Sequence, residues 1–339
     1  MTPALALVGA LRDPGATASF DAARWQAVIT VARAELLIGT LADRLDGLPV
    51  PGAVRAILYD ARVAAEQGRI AALWEAEMVR RALKPIGCSV VLLKGTAFVA
   101  AGLAAGRGRS VGDTDILVPR EALPDVERAL LGAGWEWVKP DPYDDAYYRR
   151  WMHELPPLIH RERDRIVDVH HTILPLTARP KPDAAVMIAE AEPLGNGLSV
   201  LSRPAMIVHA AAHLIADGDL SGGLRNLWDI DQLCREAEEG DPDFYLALAE
   251  ESWSNGLSDE IARALRLAAQ IFGTPVKAYD EPIRTRNEEK HSDRWFRDRL
   301  LARDGWGRGT RPATRFGFYL RGHALRMPPA MLARHLWIK

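Results

Sequence analysis

The 339-residue sequence predicts an α+β protein: a small mixed β-sheet of about four or five strands, backed by two helices and flanked by helical regions on both sides. Three observations carry this expectation. Apolar residues recur at three- and four-residue spacing from about Phe20 to Leu83 and again from Arg203 to Phe272, as helices require. Short apolar runs rich in β-branched residues lie between them, separated by glycine, proline and charged breaks. The composition, 48% hydrophobic and 26% charged with ten tryptophans, belongs to a folded protein with a substantial core.

Taken in order, Trp25, Ile29 and Val31 to Leu37 fit one helix, and the Leu48–Gly52 stretch with its two prolines breaks it from one or two further helices over Val54 to Leu83. Ser89 to Leu93 reads as a buried strand, and Thr96 to Leu103 as a helix. Gly106 to Ser110 reads as a flexible loop and Thr114 to Val118 as a second strand with Asp113 at its entrance. Arg120 to Leu131 is helical and stops at Gly132-Ala133-Gly134, before a strand over Trp135 to Val138 and a loop over Lys139 to Tyr143. Leu158 to His160 and Ile166 to His170 flank a charged turn, as in a hairpin. About four helices fill Arg203 to Phe272. The expected division is a helical region over 1–85, an α/β core over 86–180, a helical domain over 181–275 and a basic helical segment over 276–339.

Charge is uneven along the chain. The last segment holds 15 lysines and arginines against 7 acids, a net of +8, so the rest carries −10 of an overall −2. Packing of this segment against the acidic remainder is the favoured reading. A nucleic-acid or partner surface built from its arginines with Trp306, Phe316, Phe318, Tyr319 and Trp337 is the rival. Two cysteines far apart argue against a disulfide framework. With no basic leader and no apolar stretch near the roughly 20 residues of a membrane span, the expected location is cytoplasmic.

The chemistry gathers around "VLLKGTAFVAAGLAAGRGRSVGDTDILV", Val91 to Val118. Side chains two apart on a strand share a face, so Asp113 and Asp115 converge while Thr114 points away. Adjacent carboxylates repel unless a cation lies between them, and hard oxygen ligands suit Mg²⁺ or Mn²⁺. Gly95-Thr96 opens a helix after an apolar strand, where free backbone N–H groups favour an anion. Lys94 is either a phosphate partner or a strand-end lysine with its head in solvent. Asp168 sits in the otherwise apolar Ile166-Val-Asp-Val-His170 run, and an acid there needs a cation or hydrogen bonds. His170 shares its face.

These residues resemble a known group. Strand, Gly-(Ser/Thr), helix, then Asp-x-Asp on the next strand and one acid on a later strand is similar to the DNA polymerase β-type nucleotidyltransferase superfamily. Leu92-Leu-Lys-Gly-Thr96, Arg109-x-x-Gly-Asp-x-Asp-Ile-Leu-Val118 and Asp168-Val-His-His171 resemble more closely a poorly characterised bacterial nucleotidyltransferase family, and the likeness runs past Phe272 through "LRNLWDIDQL" and "AQIFGTPV". The resemblance implies Mg²⁺-dependent transfer of a nucleoside monophosphate from an NTP, with ATP the expected donor, releasing pyrophosphate. It implies that Asp113 and Asp115 bind two metal ions, that Asp168 completes the acceptor-side metal, and that Gly95 and Thr96 grip the β- and γ-phosphates. Thr96 stands where serine is commonest in the superfamily and keeps the hydroxyl. Arg109 is expected to neutralise the triphosphate. The acceptor (protein, peptide, small molecule or RNA) and the oligomeric state stay open.

Two other readings compete. His209 and His213 lie one helical turn apart, with Asp217, Asp229 and Asp231 nearby in sequence, as a metal-dependent phosphohydrolase would arrange them. The HExxH glutamate is missing, and histidines packed against the cleft are the favoured account. A fold relative that binds a nucleotide or partner without turnover is the other. The expected cleft lies between the aspartate face of the sheet and the downstream helices, near His170, His209 and His213.

Overall fold

In a computed structural model, which describes residues 2–276, 291–326 and 332, the chain is mixed α+β as expected. Trp337 and residues 277–290 lie outside the described residues, as does the side chain of Asp217.

The N-terminal region begins with helices Pro3–Arg12 and Ala22–Ala34, the second capped by the Asp21 carboxylate, which accepts from the Arg24 amide at 2.8 Å. The expected single helix to Leu37 ends early because Leu36 adopts a left-handed conformation, φ 55°, and a separate helix Ile38–Arg44 follows. Gly52–Leu83 is one unbroken helix of 32 residues, packed on the following helix, on Leu123–Gly132 and on the strand that carries the two aspartates.

Among the described residues seven strands form one sheet, against the four or five expected: β1 Val91–Leu92, β2 Asp113–Leu117, β3 Trp135–Trp137, β4 Leu158–His160, β5 Ile166–His170, β6 Glu192–Pro193 and β7 Ser199–Val200. Their order is β3-β4-β5-β2-β1-β7-β6. The two missed strands hold two residues each, too few for a periodicity to register. β7 joins by lying parallel to β1. The central β2 pairs antiparallel with β1 and parallel with β5, while β4 and β5 form the expected antiparallel hairpin.

Two further expectations are corrected. The Lys139 to Tyr143 loop ends inside a helix, Pro142–Trp151, started by Asp141, whose Oδ1 accepts from the amides of Tyr143 at 2.9 Å and Asp144 at 3.0 Å. Asp-Pro is a helix start, and the proline loses no useful donor at the first position. The Gly106-Arg-Gly108 loop is not a free linker. Gly108 has φ 61°, and a Cβ there would stand 2.4 Å from the carbonyl oxygen of Gly39. The two glycines therefore allow backbone-to-backbone contact that fastens the approach to β2 onto the N-terminal helices, with the Thr40 hydroxyl donating to the Arg107 carbonyl at 3.3 Å.

Downstream, Arg203–Ala211 runs into a π-helical turn, Ala212–Asp217, and helices Gly223–Gly240, Phe244–Ser254 and Ser258–Phe272 follow. A continuous apolar core links the N-terminal helices, the sheet and these helices, and includes Phe296, Leu300 and Phe318 of the basic segment. Arginines of that segment reach back: Arg303 Nε donates to Glu35 Oε1 at 2.6 Å, and Arg321 donates to the carbonyls of Ile215 and Gly218. No helix among the described residues is long and apolar enough to cross a membrane.

Candidate active site

The parallel register of β2 and β5 sets Asp115 directly opposite Asp168 and Leu117 opposite His170. Residues opposite one another point to the same face, so the third acid arrives beside the pair. One carboxylate oxygen from each of Asp113, Asp115 and Asp168 lies within 4.8 Å of the others. Behind them Ile116, Leu117 and Val118 are fully buried and hold the strand rigid.

The three acids sit in different environments. Asp115, with 2% of its side chain exposed, accepts from Lys94 Nζ at 2.7 Å and faces His170 Nε2 at 3.0 Å, both at Oδ1. Burial opposes its ionisation, but the Lys94 charge, the His170 hydrogen bond and the His170 charge outweigh this and hold the carboxyl far below its usual range. Asp168 has the opposite balance. Burial first, then the charges of Asp115 and Glu154, raise it from 3.8 to about 7, and among the described residues its Oδ1 is enclosed without a hydrogen-bond partner. Asp113, at the strand entrance, is also raised, by burial and then by Asp115. A repelling set of hard oxygens with one unpartnered atom fits a divalent cation.

Lys94 adopts a left-handed backbone conformation, φ 48°, at the start of helix Lys94–Ala100. This turn swings its ammonium back onto Asp115, where burial works against the charge but Asp115 raises it further. Gly95 is required by its neighbour: a Cβ would lie 2.5 Å from Arg109 Nε. Arg109 crosses Gly95, stands 5.5 Å over the Phe98 ring and bonds Asp229. Asp229 also accepts from Arg225, which donates to the Thr40 hydroxyl at 2.6 Å and the Ala105 carbonyl at 3.2 Å. Thr96 corrects its expected role. It is fully buried, and its hydroxyl donates to the Asp113 carbonyl at 3.1 Å, bracing the strand entrance instead of facing open space.

Beside the acids is a cavity of about 270 Å³ between the sheet and the helices after residue 203. Lys94, Gly95, Arg109, Asp113, Asp115, His209 and His213 line it, joined by Phe98, Met206 and Arg225. Asp168, Thr96 and His170 do not. His170 is fully buried behind Asp115, not at the cleft surface as expected. His209, on the helix wall, is pushed well below its usual range by burial, then by the charges of Lys94 and His170, and is therefore a neutral imidazole. Among the described residues no third ligand joins His209 and His213 in a metal-sized group. Asp229 is held by two arginines, and Asp231 accepts from Arg235 at 2.9 Å and Thr274 at 2.7 Å, so neither is available to the phosphohydrolase arrangement.

Sequence reasoning passed over His153, Glu154 and Arg225, and placed Asp229 in the phosphohydrolase reading, not as the partner of Arg109. The first two follow a helix that was not expected, and nothing in their spacing ties them to β5. Arg225 and Asp229, four apart on a helix, did carry a signal, since such a pair shares one face.

No curated protein matches this chain. A family model described as uncharacterised nucleotidyltransferase matches residues 21–273, from the second helix through the last helix of the downstream bundle. The span takes in the aspartate strand, its partner β5 and every wall of the cavity, and the chain belongs to the uncharacterised nucleotidyltransferase family.

Proposed function

We propose that this chain is a Mg²⁺-dependent nucleotidyltransferase of the DNA polymerase β type. It would transfer a nucleoside monophosphate from an NTP, ATP being the expected donor, to an acceptor nucleophile with release of pyrophosphate. The observation that carries this is the Asp115–Asp168 register, which gathers three carboxylates beside a cavity walled by Lys94 and Arg109. Asp113, Asp115 and Asp168 would hold the metal, which when bound neutralises phosphate charge and steadies the attacking and leaving oxygens.

The chain's own groups supply the rest. Lys94, now on Asp115, is within the same pocket and can turn its ammonium to a phosphate once a divalent ion neutralises that acid. Gly95 keeps the helix start open to an anion, and Arg109 brings a fixed positive charge across it. Oδ1 of Asp168 is the oxygen left to ligate an ion or receive the acceptor's proton. Neutral His209 lines the opposite wall and can accept or donate one hydrogen bond without adding charge. The basic segment serves this reading as a packing element over the helical domain.

Calorimetric titration of ATP with Mg²⁺ tests the site. Binding should depend on metal and be lost in Asp113→Ala and Asp115→Ala; equal binding by parent and both variants refutes the assignment. Labelled ATP with cell extract should then give a labelled acceptor and pyrophosphate. Metal-dependent binding with neither product would make the chain a nucleotide-binding relative without turnover.

A further inference from the structure

Residues 152–155 run alongside β5. The Leu155 amide donates to the Val169 carbonyl and the His171 amide to the His153 carbonyl, both at 2.9 Å, and Glu154 pairs with His170 across this bridge. The pairing gathers two imidazoles around one carboxylate. His170 Nε2 is 3.4 Å and His153 Nε2 3.8 Å from Glu154 Oε2, with the rings 5.2 Å apart and tilted by 32°. One ligand atom from each residue lies within 4.8 Å of the others.

His153 gives the second, independent observation. It is 7% exposed, its Nδ1 is enclosed without a partner among the described residues, and the 3.8 Å to Glu154 is too long for a hydrogen bond. Burying an imidazole with an unpaired ring nitrogen is unfavourable. Its Nε2 faces the Glu154 carboxylate oxygen that His170 Nε2 also faces.

We propose that His153, Glu154 and His170 form a second metal site, a two-histidine, one-carboxylate site for a borderline-soft divalent ion of the zinc class. Imidazole nitrogen suits zinc, cobalt or iron, whereas the neighbouring all-oxygen aspartate group suits magnesium. The ion takes the place of the proton between His170 and the carboxylates of Asp115 and Glu154. It thereby ties residues 152–155 to β5 and sets a fixed charge behind the aspartates. The inference stands on these side chains alone and does not depend on nucleotidyl transfer.

Cobalt titrated into chelator-treated full-length protein tests it. One equivalent of Co²⁺ should give the visible absorption of nitrogen-ligated cobalt, be displaced by Zn²⁺ and resist excess Mg²⁺. The spectrum should persist in Asp113→Asn and Asp168→Asn, while His153→Ala weakens binding by at least about 100-fold. His153→Ala also leaves a cavity beside the His170 ring, so Glu154→Gln, nearly isosteric, provides a second variant that keeps the packing. Absence of a cobalt spectrum overturns the site. So does a spectrum unchanged in both His153→Ala and Glu154→Gln, or one lost only in Asp168→Asn and competed by Mg²⁺, which would seat the ion among the aspartates.

Discussion

Asp168→Asn in metal-free protein isolates the acid cluster from any catalytic role. The Asp168 carboxyl is raised from 3.8 to about 7, by burial and then by Asp115 and Glu154. A raised acid contributes stability fully below its unfolded value, and that contribution disappears as pH climbs through about 7. At about 1.36 kcal/mol per pH unit, the whole span corresponds to roughly 4 kcal/mol as an upper bound, somewhat over half of it between pH 5 and 8. Relaxation of the neighbours and the needs of an asparagine amide reduce this, leaving about 1–2 kcal/mol for that window. Urea denaturation followed by tryptophan fluorescence should therefore show Asp168→Asn gaining on the parent by that amount from pH 5 to pH 8. Saturating Mg²⁺ should remove the gain by stabilising the parent. A parent-to-variant difference that stays flat across pH 5–8 refutes the claim that Asp168 is held as a repelled, poorly solvated acid.

Other substitutions probe the neighbouring contacts. Lys94→Met leaves Asp115 buried with only His170 beside it, so stability should fall by about 3–5 kcal/mol and recover in part with millimolar Mg²⁺; an unchanged melting temperature would deny the pairing. Thr96→Val should cost about 1 kcal/mol in denaturation, with little effect on Mg²⁺-ATP affinity, because the hydroxyl serves the Asp113 carbonyl. A large affinity loss at full stability would move that hydroxyl to the phosphates. Gly95→Ala should be less harmful in an Arg109→Ala background, with a coupling of about 1 kcal/mol. Additive effects would show that the alanine methyl meets no obstacle at Arg109.

Much of the site was legible locally. The two-residue period of a strand is enough to put Asp113 and Asp115 on one face, and an acid inside Ile166-Val-Asp-Val-His170 stands out because burying it alone is costly. The helix–sheet–helix succession was readable for the same reason: both periodicities are properties of the backbone and appear in any window long enough to hold them. β6 and β7 hold two residues each and escaped notice, whereas the equally short β1 was signalled by the five-residue Ser89–Leu93 run around it.

Side-chain destinations were not legible in this way. Thr96 turned inward to a carbonyl, Lys94 turned back onto Asp115 through a left-handed backbone angle, and Gly108 proved to be a contact with Gly39 far away in the chain. Sequence by itself determined most of the longer helical and strand segments and the paired acids on β2. Only the tertiary structure decided that Asp168 faces Asp115, that Arg109 reaches Asp229, and that His153 and Glu154 meet His170. Those meetings depend on strand register and helix packing, which are set by the burial of the whole apolar core and leave no mark in the spacing of the residues they join.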